Sequence, residues 1–322
     1  SYKSVLLNKE GDRKLKVNEA VAHKCVINGE AKYQSLVEHL LNVALDASQK
    51  AKPFGLESTL FLVGILHDIG KAQSAFYEYI TKNKNTHVVH SSAGGKYIDD
   101  YCETLKNSAP EQYKNMDLYK EIISYVIFAH HGLMDMINMM DSTDNYGKRL
   151  DYAVKDNVYD QEIIPYVKEL EKLLINEGYE PIEVIIKKSC EEINVILENQ
   201  YDLLNAVGDS KKEQKRKSSF YIGCLVRFIL SFLKNADVND SISVEQPQLI
   251  TEKVYDTFKN ANQSELSILR SQISDNAKKF SGKNETGIYT LEVPTGGGKT
   301  LTVLRYALNN AKIFHKDRIF YI

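Results

Sequence analysis

The sequence predicts a mainly α-helical domain over residues 1–240, followed by the beginning of an α/β domain over residues 241–322. Three observations carry this prediction. Apolar residues recur at helical spacing through the first part, which also contains the buried-helix pattern 61–66. A polar stretch beyond Asp240 has the composition of a linker. After it, an apolar segment at 287–293 leads into a glycine-rich loop and another helical pattern, the order of elements expected for an α/β domain.

The composition is that of an ordinary globular protein. The chain has 322 residues, 43% hydrophobic and 26% charged, with a formal net charge of -2, which argues against a uniformly basic nucleic-acid coat. The four cysteines show no CxxC spacing and indicate reduced thiols rather than a disulfide framework or zinc ribbon. No signal-peptide pattern is visible, and the apolar run 220–233 is short and carries Arg227. We therefore expect a cytoplasmic protein without a membrane partner.

The predicted helices of the first domain surround one histidine–aspartate pair. Helical spacing begins near Ala31, and the next helix, which Ser58 is placed to cap, ends in His67-Asp68. The segment before Ala31 is compatible with short strands or loops. Further helices are predicted from His90 towards Cys102 and over 121–129, 160–176, 181–205, 220–236, 248–260 and 264–280, with loops at 83–87 and 134–146.

Histidines and aspartates occupy corresponding places in these predicted helices. Each of the following ends a helix or lies on its apolar face: His39, His67, Asp68, His90, His130, His131 and Asp237. A single His-Asp pair is more often a satisfied core histidine beside a capping aspartate, but the repeated placement favours a metal site. A mixed set of this kind suits one or two divalent ions such as Mn, Fe, Co, Ni or Zn, with Mg also allowed. Asp68 is the natural bridge between two ions, because His67 can bind one while the second carboxylate oxygen reaches the other.

The ordered motifs resemble the HD superfamily of metal-dependent phosphohydrolases over about residues 30–240. The sequence His-Asp-x-Gly-Lys at 67–71, the lone His90, the triplet His130-His131-Gly132 and the distal pair Ala236-Asp237 are similar to one branch in particular. That branch is the HD nuclease domain of the CRISPR-associated nuclease–helicase of type I interference. The resemblance implies an all-helical fold, cleavage of single-stranded DNA, and an RNA-guided surveillance complex as partner.

The resemblance also implies roles for individual residues. One ion would be held by His39, His67, Asp68 and Asp237, and a second by His90, His130 and His131 with Asp68 as the bridge. Lys71, three residues after Asp68, would contact the scissile phosphate. His87 lies close enough to compete with His90, although the position before Ser91-Ser92 favours His90. His23 and His315 are interpreted as non-ligands.

A phosphate-binding loop is predicted in the second domain. Its residues are Thr295, Gly296, Gly297, Gly298, Lys299 and Thr300, between a predicted strand at 287–293 and a helix to about 312. This loop resembles motif I of superfamily 2 helicases, and Arg318 to Ile322 resembles the start of the next strand. The resemblance implies binding of ATP and Mg²⁺ by a RecA-like helicase lobe. No Walker B pair, arginine finger or second lobe follows in the sequence, so we expect an incomplete ATPase.

The first domain also contains one run of basic residues. Lys211, Lys212, Lys215, Arg216 and Lys217 precede the helix that carries Asp237. Such a run is usually a solvated face, but here it is placed to line the path of a DNA strand.

The alternatives to a nuclease are an HD phosphohydrolase acting on nucleotides or cyclic dinucleotides, and a non-catalytic nucleotide-binding module.

Overall fold

The computed structural model describes residues 17–27, 30–82, 88–108, 115–138, 140–206, 210–241, 264–283, 287–316 and 319. These residues are mainly helical, as the sequence predicts. The chain divides into two compact units, Ser1–Ser243 and Val244–Ile322. The division therefore falls after residue 243, compared with 240 in the prediction from composition.

The first unit begins with a two-stranded antiparallel hairpin. Strand β1, Val21–Ile27, pairs with strand β2, Glu30–Ser35, and the Leu36 backbone N–H then donates to the Ala20 carbonyl at 2.8 Å. The prediction of a helix from Ala31 is therefore wrong for β2. Residues with helical propensity form a strand here because pairing with β1 satisfies their backbone groups, and tertiary context overrides a weak local preference.

The helices of the first unit cover most of the remaining chain. They are α1 Leu36–Ala51, α2 Glu57–Leu66, α3 Ser74–Lys82, α4 Ala93–Ser108, α5 Met116–Phe128, α6 Asn145–Val154, α7 Ile164–Asn176, α8 Ile182–Ala206 and α9 Lys211–Ser241. A π-helical turn, Tyr159–Ile163, precedes α7 and accounts for the earlier start of the predicted helix.

Helix α2 lies at the centre of this unit, between α1 and α8. Its residues from Thr59 to Leu66 are all buried, which explains the uncharged sequence. A Cβ atom on Gly64 would lie 2.4 Å from the Ala44 Cα atom, so this glycine permits the close contact between α1 and α2. The unit thus holds the end of α2, where His67 and Asp68 lie, in the middle of its core.

The start of α2 is capped by a distant carboxylate and not by Ser58. The Glu192 side chain on α8 accepts hydrogen bonds at 2.8 Å from the backbone N–H groups of Ser58 and Thr59. It also accepts a bond from the Thr59 hydroxyl at 2.8 Å. A carboxylate at a helix N-terminus satisfies free N–H groups as a local serine would, but its position cannot be inferred from local sequence.

Helix α9 is longer than the predicted segment 220–236 and has two different halves. Its C-terminal half contributes Ile229, Phe232 and Leu233 to the core, whereas Phe220 is 68% exposed. The apolar run 220–233 is therefore not buried along its whole length, because α9 has 31 residues and α1, against which it packs, has 16. By length and composition alone, α9 is the one helix among the described residues that could cross a membrane.

The second unit contains two described helices, α10 Glu265–Phe280 and α11 Lys299–Ile313. The predicted strand over 287–293 is not found, because these described residues form no ladder with another segment, and a strand requires one. The predicted helix over 248–260 and nearly all of the predicted strand over 318–322 lie outside the described residues. A RecA-like arrangement in this unit therefore stays a prediction.

Candidate metal centre

The end of α2 places His67 and Asp68 in the core. His67 is the C-terminal cap of the helix, Asp68 follows it, and a 3-10 turn, Ile69–Ala72, then brings Lys71 back towards the carboxylate. The Lys71 Nζ atom lies 2.7 Å from Asp68 Oδ2. Burial alone would raise the pKa of Asp68, but Lys71 and the surrounding imidazoles hold it well below its usual value. Asp68 is therefore an ionised carboxylate in a buried position.

One group of potential ligands surrounds Asp68 Oδ2. The Nε2 atoms of His39 and His67 lie 3.5 Å and 3.4 Å from this oxygen. The same nitrogens lie 3.5 Å and 3.7 Å from Oδ1 of Asp237, which α9 supplies. Two imidazoles and two carboxylates therefore converge on one small volume, although His39 and Asp237 are 198 residues apart in sequence.

A second group surrounds the other oxygen of the same carboxylate. Asp68 Oδ1 lies 3.3 Å from His130 Nε2 and 3.7 Å from His90 Nε2. The Nε2 atoms of His90 and His131 are 2.8 Å apart. Asp68, His90, His130 and His131 can each offer one atom to a common ion. The seven predicted ligands are thus brought together around Asp68, with three histidines on one oxygen and the remaining side chains on the other.

The local turn at the end of α5 explains why both adjacent histidines reach the site. Helix α5 ends at Phe128, so His130 and His131 lie in the following turn, where neighbouring side chains need not diverge as on a helix. The helix ends four residues before Gly132, so this glycine is not its stop signal.

Backbone carbonyls fix the orientation of the buried imidazoles. His67 Nδ1 lies 2.8 Å from the Gly64 carbonyl and His130 Nδ1 lies 2.6 Å from the Ile127 carbonyl. A carbonyl oxygen only accepts hydrogen bonds, so each Nδ1 carries the proton and each Nε2 presents a lone pair to the centre. His90 is oriented in the same way by the Val88 carbonyl at 3.1 Å.

The atoms that face the centre have the properties of metal ligands. The Nε2 atoms of His39, His67 and His130 are buried and have no hydrogen-bond partner among the described residues. An unpaired buried polar group is costly, and cations on the two sides of Asp68 would pair all three nitrogens. The residues therefore fit divalent ions, and neutral imidazoles with ionised carboxylates are the donor set that such ions prefer.

The surroundings of these side chains also favour the protonation states that metal binding requires. Burial lowers the pKa of His67 and of His90, and it lowers the pKa of His131 to about 4. The pKa of Asp237 is lowered because the hydrogen bond and charge of His67 outweigh the opposing effect of burial. Near neutral pH, these imidazoles are uncharged and the carboxylate is ionised.

His39 differs from the other imidazoles because a carboxylate orients it. Burial would lower its pKa, but the hydrogen bond to Asp240 raises it. His39 Nδ1 lies 2.6 Å from Asp240 Oδ2, and the side-chain amides of Gln34 and Asn42 donate to the same carboxylate at 2.8 Å each. Sequence reasoning missed Asp240. Its spacing of three residues from Asp237 places both on one face of α9, and this was the available signal.

His23 is also placed differently from its interpretation as a non-ligand. It forms a group with His39, Asp68 and Asp237 in which four ligand atoms could hold one ion. Its Nε2 atom lies 3.3 Å from Lys71 Nζ and 3.1 Å from the Ser241 hydroxyl, and burial lowers its pKa to about 3. Strand β1 delivers it to the centre, whereas the sequence left this segment open between short strands and loops.

Two glycines allow the helix ends to meet. A Cβ atom on Gly70 would lie 2.0 Å from the His90 carbonyl oxygen, and one on Gly94 would lie 2.1 Å from the Leu66 carbonyl oxygen. Gly70 therefore permits the close approach of the His90 backbone. His87, the competing histidine, lies outside the described residues.

The other predicted site residues lie apart from this centre. Lys211, Lys212, Lys215, Arg216 and Lys217 occupy the first two turns of α9. In the second unit, the glycine-rich loop precedes α11, with Gly296 and Gly298 at φ 84° and 82° and Lys299 and Thr300 at the start of the helix. Gly297 also needs its lack of a side chain, since a Cβ atom would lie 2.3 Å from Val293. His315 is exposed in the same unit.

Comparison with known proteins identifies the region that carries this centre. Residues 36–193 match the family model of the HD domain. The match includes His39, the His67-Asp68 pair and the histidines supplied by the starts or ends of α4 and α5, whereas Asp237 and Asp240 follow it. No curated protein matches the chain. The match of residues 36–193 to the HD domain supports a hydrolase of the HD superfamily and indicates a metal-dependent one.

Proposed function

We propose that this protein is a two-metal deoxyribonuclease that degrades single-stranded DNA in a type I CRISPR defence system, normally coupled to an ATP-driven helicase. The observation that carries the proposal is the position of Asp68. Each of its two oxygens faces a separate group of imidazoles, which is the arrangement expected when one carboxylate bridges two ions. The order of the HD motifs in the sequence supports the nuclease branch of the superfamily.

The chain's own residues would hold the ions and the substrate in the following way. His39, His67 and Asp237, with His23 nearby, would bind on one side of Asp68, and the three remaining histidines would bind on the other. When bound, a pair of divalent ions activates water and neutralises charge on the phosphate. Lys71 adds a positive charge to the same place, but it pairs with Asp68 in this arrangement. Its contact with the scissile phosphate stays a prediction.

Two further features support a nucleic-acid substrate and coupling to an ATP-driven helicase. The first two turns of α9 carry five basic side chains, and the last turns of the same helix carry Asp237 and Asp240. In the second unit, the glycines before α11 leave backbone N–H groups and Lys299 at a helix N-terminus, which suits the phosphates of ATP with Mg²⁺. The proposed partner, an RNA-guided surveillance complex, follows from the resemblance of the HD motifs.

The test is a substrate panel with defined metals. The metal-free protein is incubated with Mn²⁺, Co²⁺, Ni²⁺, Zn²⁺ or Mg²⁺ and labelled single-stranded DNA, duplex DNA, nucleotides or cyclic dinucleotides. We expect metal-dependent cleavage of single-stranded DNA, no cleavage with chelator, and no cleavage by Asp68→Ala. Hydrolysis of nucleotides or cyclic dinucleotides without DNA cleavage would refute the nuclease and support the rival phosphohydrolase.

A further inference from the structure

We propose that Arg149, together with the N-terminus of α4, forms a phosphate-binding subsite beside the His90–His131 side of the metal centre. The inference rests on the proposed function, because it names the group by which that site recognises its substrate. The phosphate can belong to a nucleic-acid backbone or to a small nucleotide, and the guanidinium recognises the same chemistry in both.

The first observation is a partly buried guanidinium without a carboxylate partner. Arg149 lies on α6, and its Nη1 atom donates to the Ser91 hydroxyl at 3.2 Å. Within the part of the chain that the structure describes, no carboxylate forms an ion pair with Arg149. Arg305, by comparison, lies 2.7 Å from Asp275 in the second unit. A guanidinium held in place by a neutral hydroxyl keeps most of its donors for an anion, and its planar fork matches phosphate oxygens.

The second observation concerns the helix end that Arg149 contacts. Helix α4 has 16 residues, and its first backbone N–H groups lack intrahelical partners, so this end carries a partial positive charge. The Ser92 side chain, directly before the helix, is 2% exposed, and its hydroxyl has no hydrogen-bond partner among the described residues. A buried hydroxyl at a positive helix end is a ready donor to an anion.

The third observation is the position of this helix end relative to the metal centre. Ser91 follows His90 directly, and His90 Nε2 lies 3.7 Å from Asp68 Oδ1. Gly94, in the first turn of α4, lies so close to the end of α2 that a Cβ atom would contact the Leu66 carbonyl. Arg149, Ser92 and the start of α4 therefore adjoin the potential ligands at one edge of the centre. A phosphate bound there would meet positive charge from the protein as well as from the ions.

The experiment compares orthophosphate binding by Arg149→Ala, Arg149→Lys and the control Lys148→Ala, which removes the neighbouring exposed cation. Each protein is loaded with Mn²⁺, its metal content is measured, and phosphate affinity is determined by calorimetry. We expect Arg149→Ala to weaken phosphate binding about tenfold, the loss typical of a charge-assisted hydrogen bond. Arg149→Lys should recover part of it, and Lys148→Ala should bind like the wild type. Metal content and unfolding temperature should not change.

Two further binding measurements, made with other ligands on the same variants, distinguish the source of the phosphate. A non-hydrolysable phosphorothioate oligonucleotide and a nucleoside monophosphate replace orthophosphate. A larger loss for the oligonucleotide identifies a backbone phosphate, and a larger loss for the monophosphate identifies a small nucleotide. Unchanged phosphate affinity in Arg149→Ala, an equal loss in Lys148→Ala, or loss of bound metal with phosphate would overturn the proposal. Orthophosphate binding needs no hydrolysis, so the subsite can stand even if the DNA-cleavage assay fails.

Discussion

Asp240→Asn should weaken metal binding without unfolding the protein. The carboxylate accepts hydrogen bonds from His39 at 2.6 Å and from Gln34 and Asn42 at 2.8 Å each. An amide keeps one acceptor oxygen and replaces the other with an NH₂ group, which would face a donor. His39 then loses the charged partner that fixes its Nδ1 proton, so its Nε2 atom becomes a poorer and less well oriented ligand.

The expected loss follows from the role of such carboxylates at metal sites. Removing the hydrogen-bond partner of a ligating histidine typically lowers metal affinity about 10- to 100-fold, which corresponds to about 1.4–2.8 kcal/mol. Titration of the metal-free protein with Co²⁺ against a competing chelator measures the affinity, and the visible cobalt spectrum reports the ligand set. We expect both to change in Asp240→Asn.

The matched control is Asp46→Asn. Asp46 lies on α1, as His39 does, but its side chain is 38% exposed and pairs with Lys50 at 2.6 Å on the helix surface. This variant should bind Co²⁺ as the wild type does. If Asp240→Asn retains wild-type affinity and spectrum, the orientation of His39 by Asp240 has no role in metal binding and the reasoning is refuted.

Three other perturbations test the fold and the proposed substrate. Glu192→Ala should lower the free energy of unfolding by about 2–4 kcal/mol, because the carboxylate accepts three hydrogen bonds at the start of α2; chemical denaturation measures this. Gly70→Ala should reduce metal occupancy, because a Cβ atom 2.0 Å from the His90 carbonyl must displace that segment; elemental analysis measures this. Lys211→Glu with Lys215→Glu should flatten the salt dependence of single-stranded DNA binding, because fewer counterions are released.

Each of these predictions has a control on a comparable residue. Glu191→Ala removes the neighbouring exposed carboxylate and should leave stability almost unchanged. Gly132→Ala adds a methyl group where nothing lies within 4 Å and should leave metal occupancy unchanged. Lys155→Glu with Lys172→Glu changes the net charge equally at other exposed positions. If this pair alters the salt slope as much as the α9 pair, the effect is one of net charge and α9 carries no DNA path.

The sequence predicts the helical class and the gathering of the seven side chains because these depend on local signals. A histidine or aspartate at the end of an apolar helical pattern can be recognised without knowing how the helices pack. His23 and Asp240 were missed for the opposite reason. His23 reaches the centre on a strand whose existence depends on pairing with β2, and Asp240 matters only because α9 packs against α1. The cap at Glu192 is likewise a contact between elements more than 130 residues apart.

The geometry also explains why one histidine needs a distant partner and the others do not. His67 and His130 follow helices whose last carbonyls have no intrahelical partner, and each imidazole donates its Nδ1 proton to the carbonyl three residues earlier. The helix end therefore supplies both the position of the ligand and its orientation. His39 lies inside α1, where the nearby carbonyls already accept intrahelical bonds, so its Nδ1 proton needs an acceptor from another element. Asp240 provides it from α9, the helix that also supplies Asp237, so the packing of α9 against α1 fixes a carboxylate and an imidazole together.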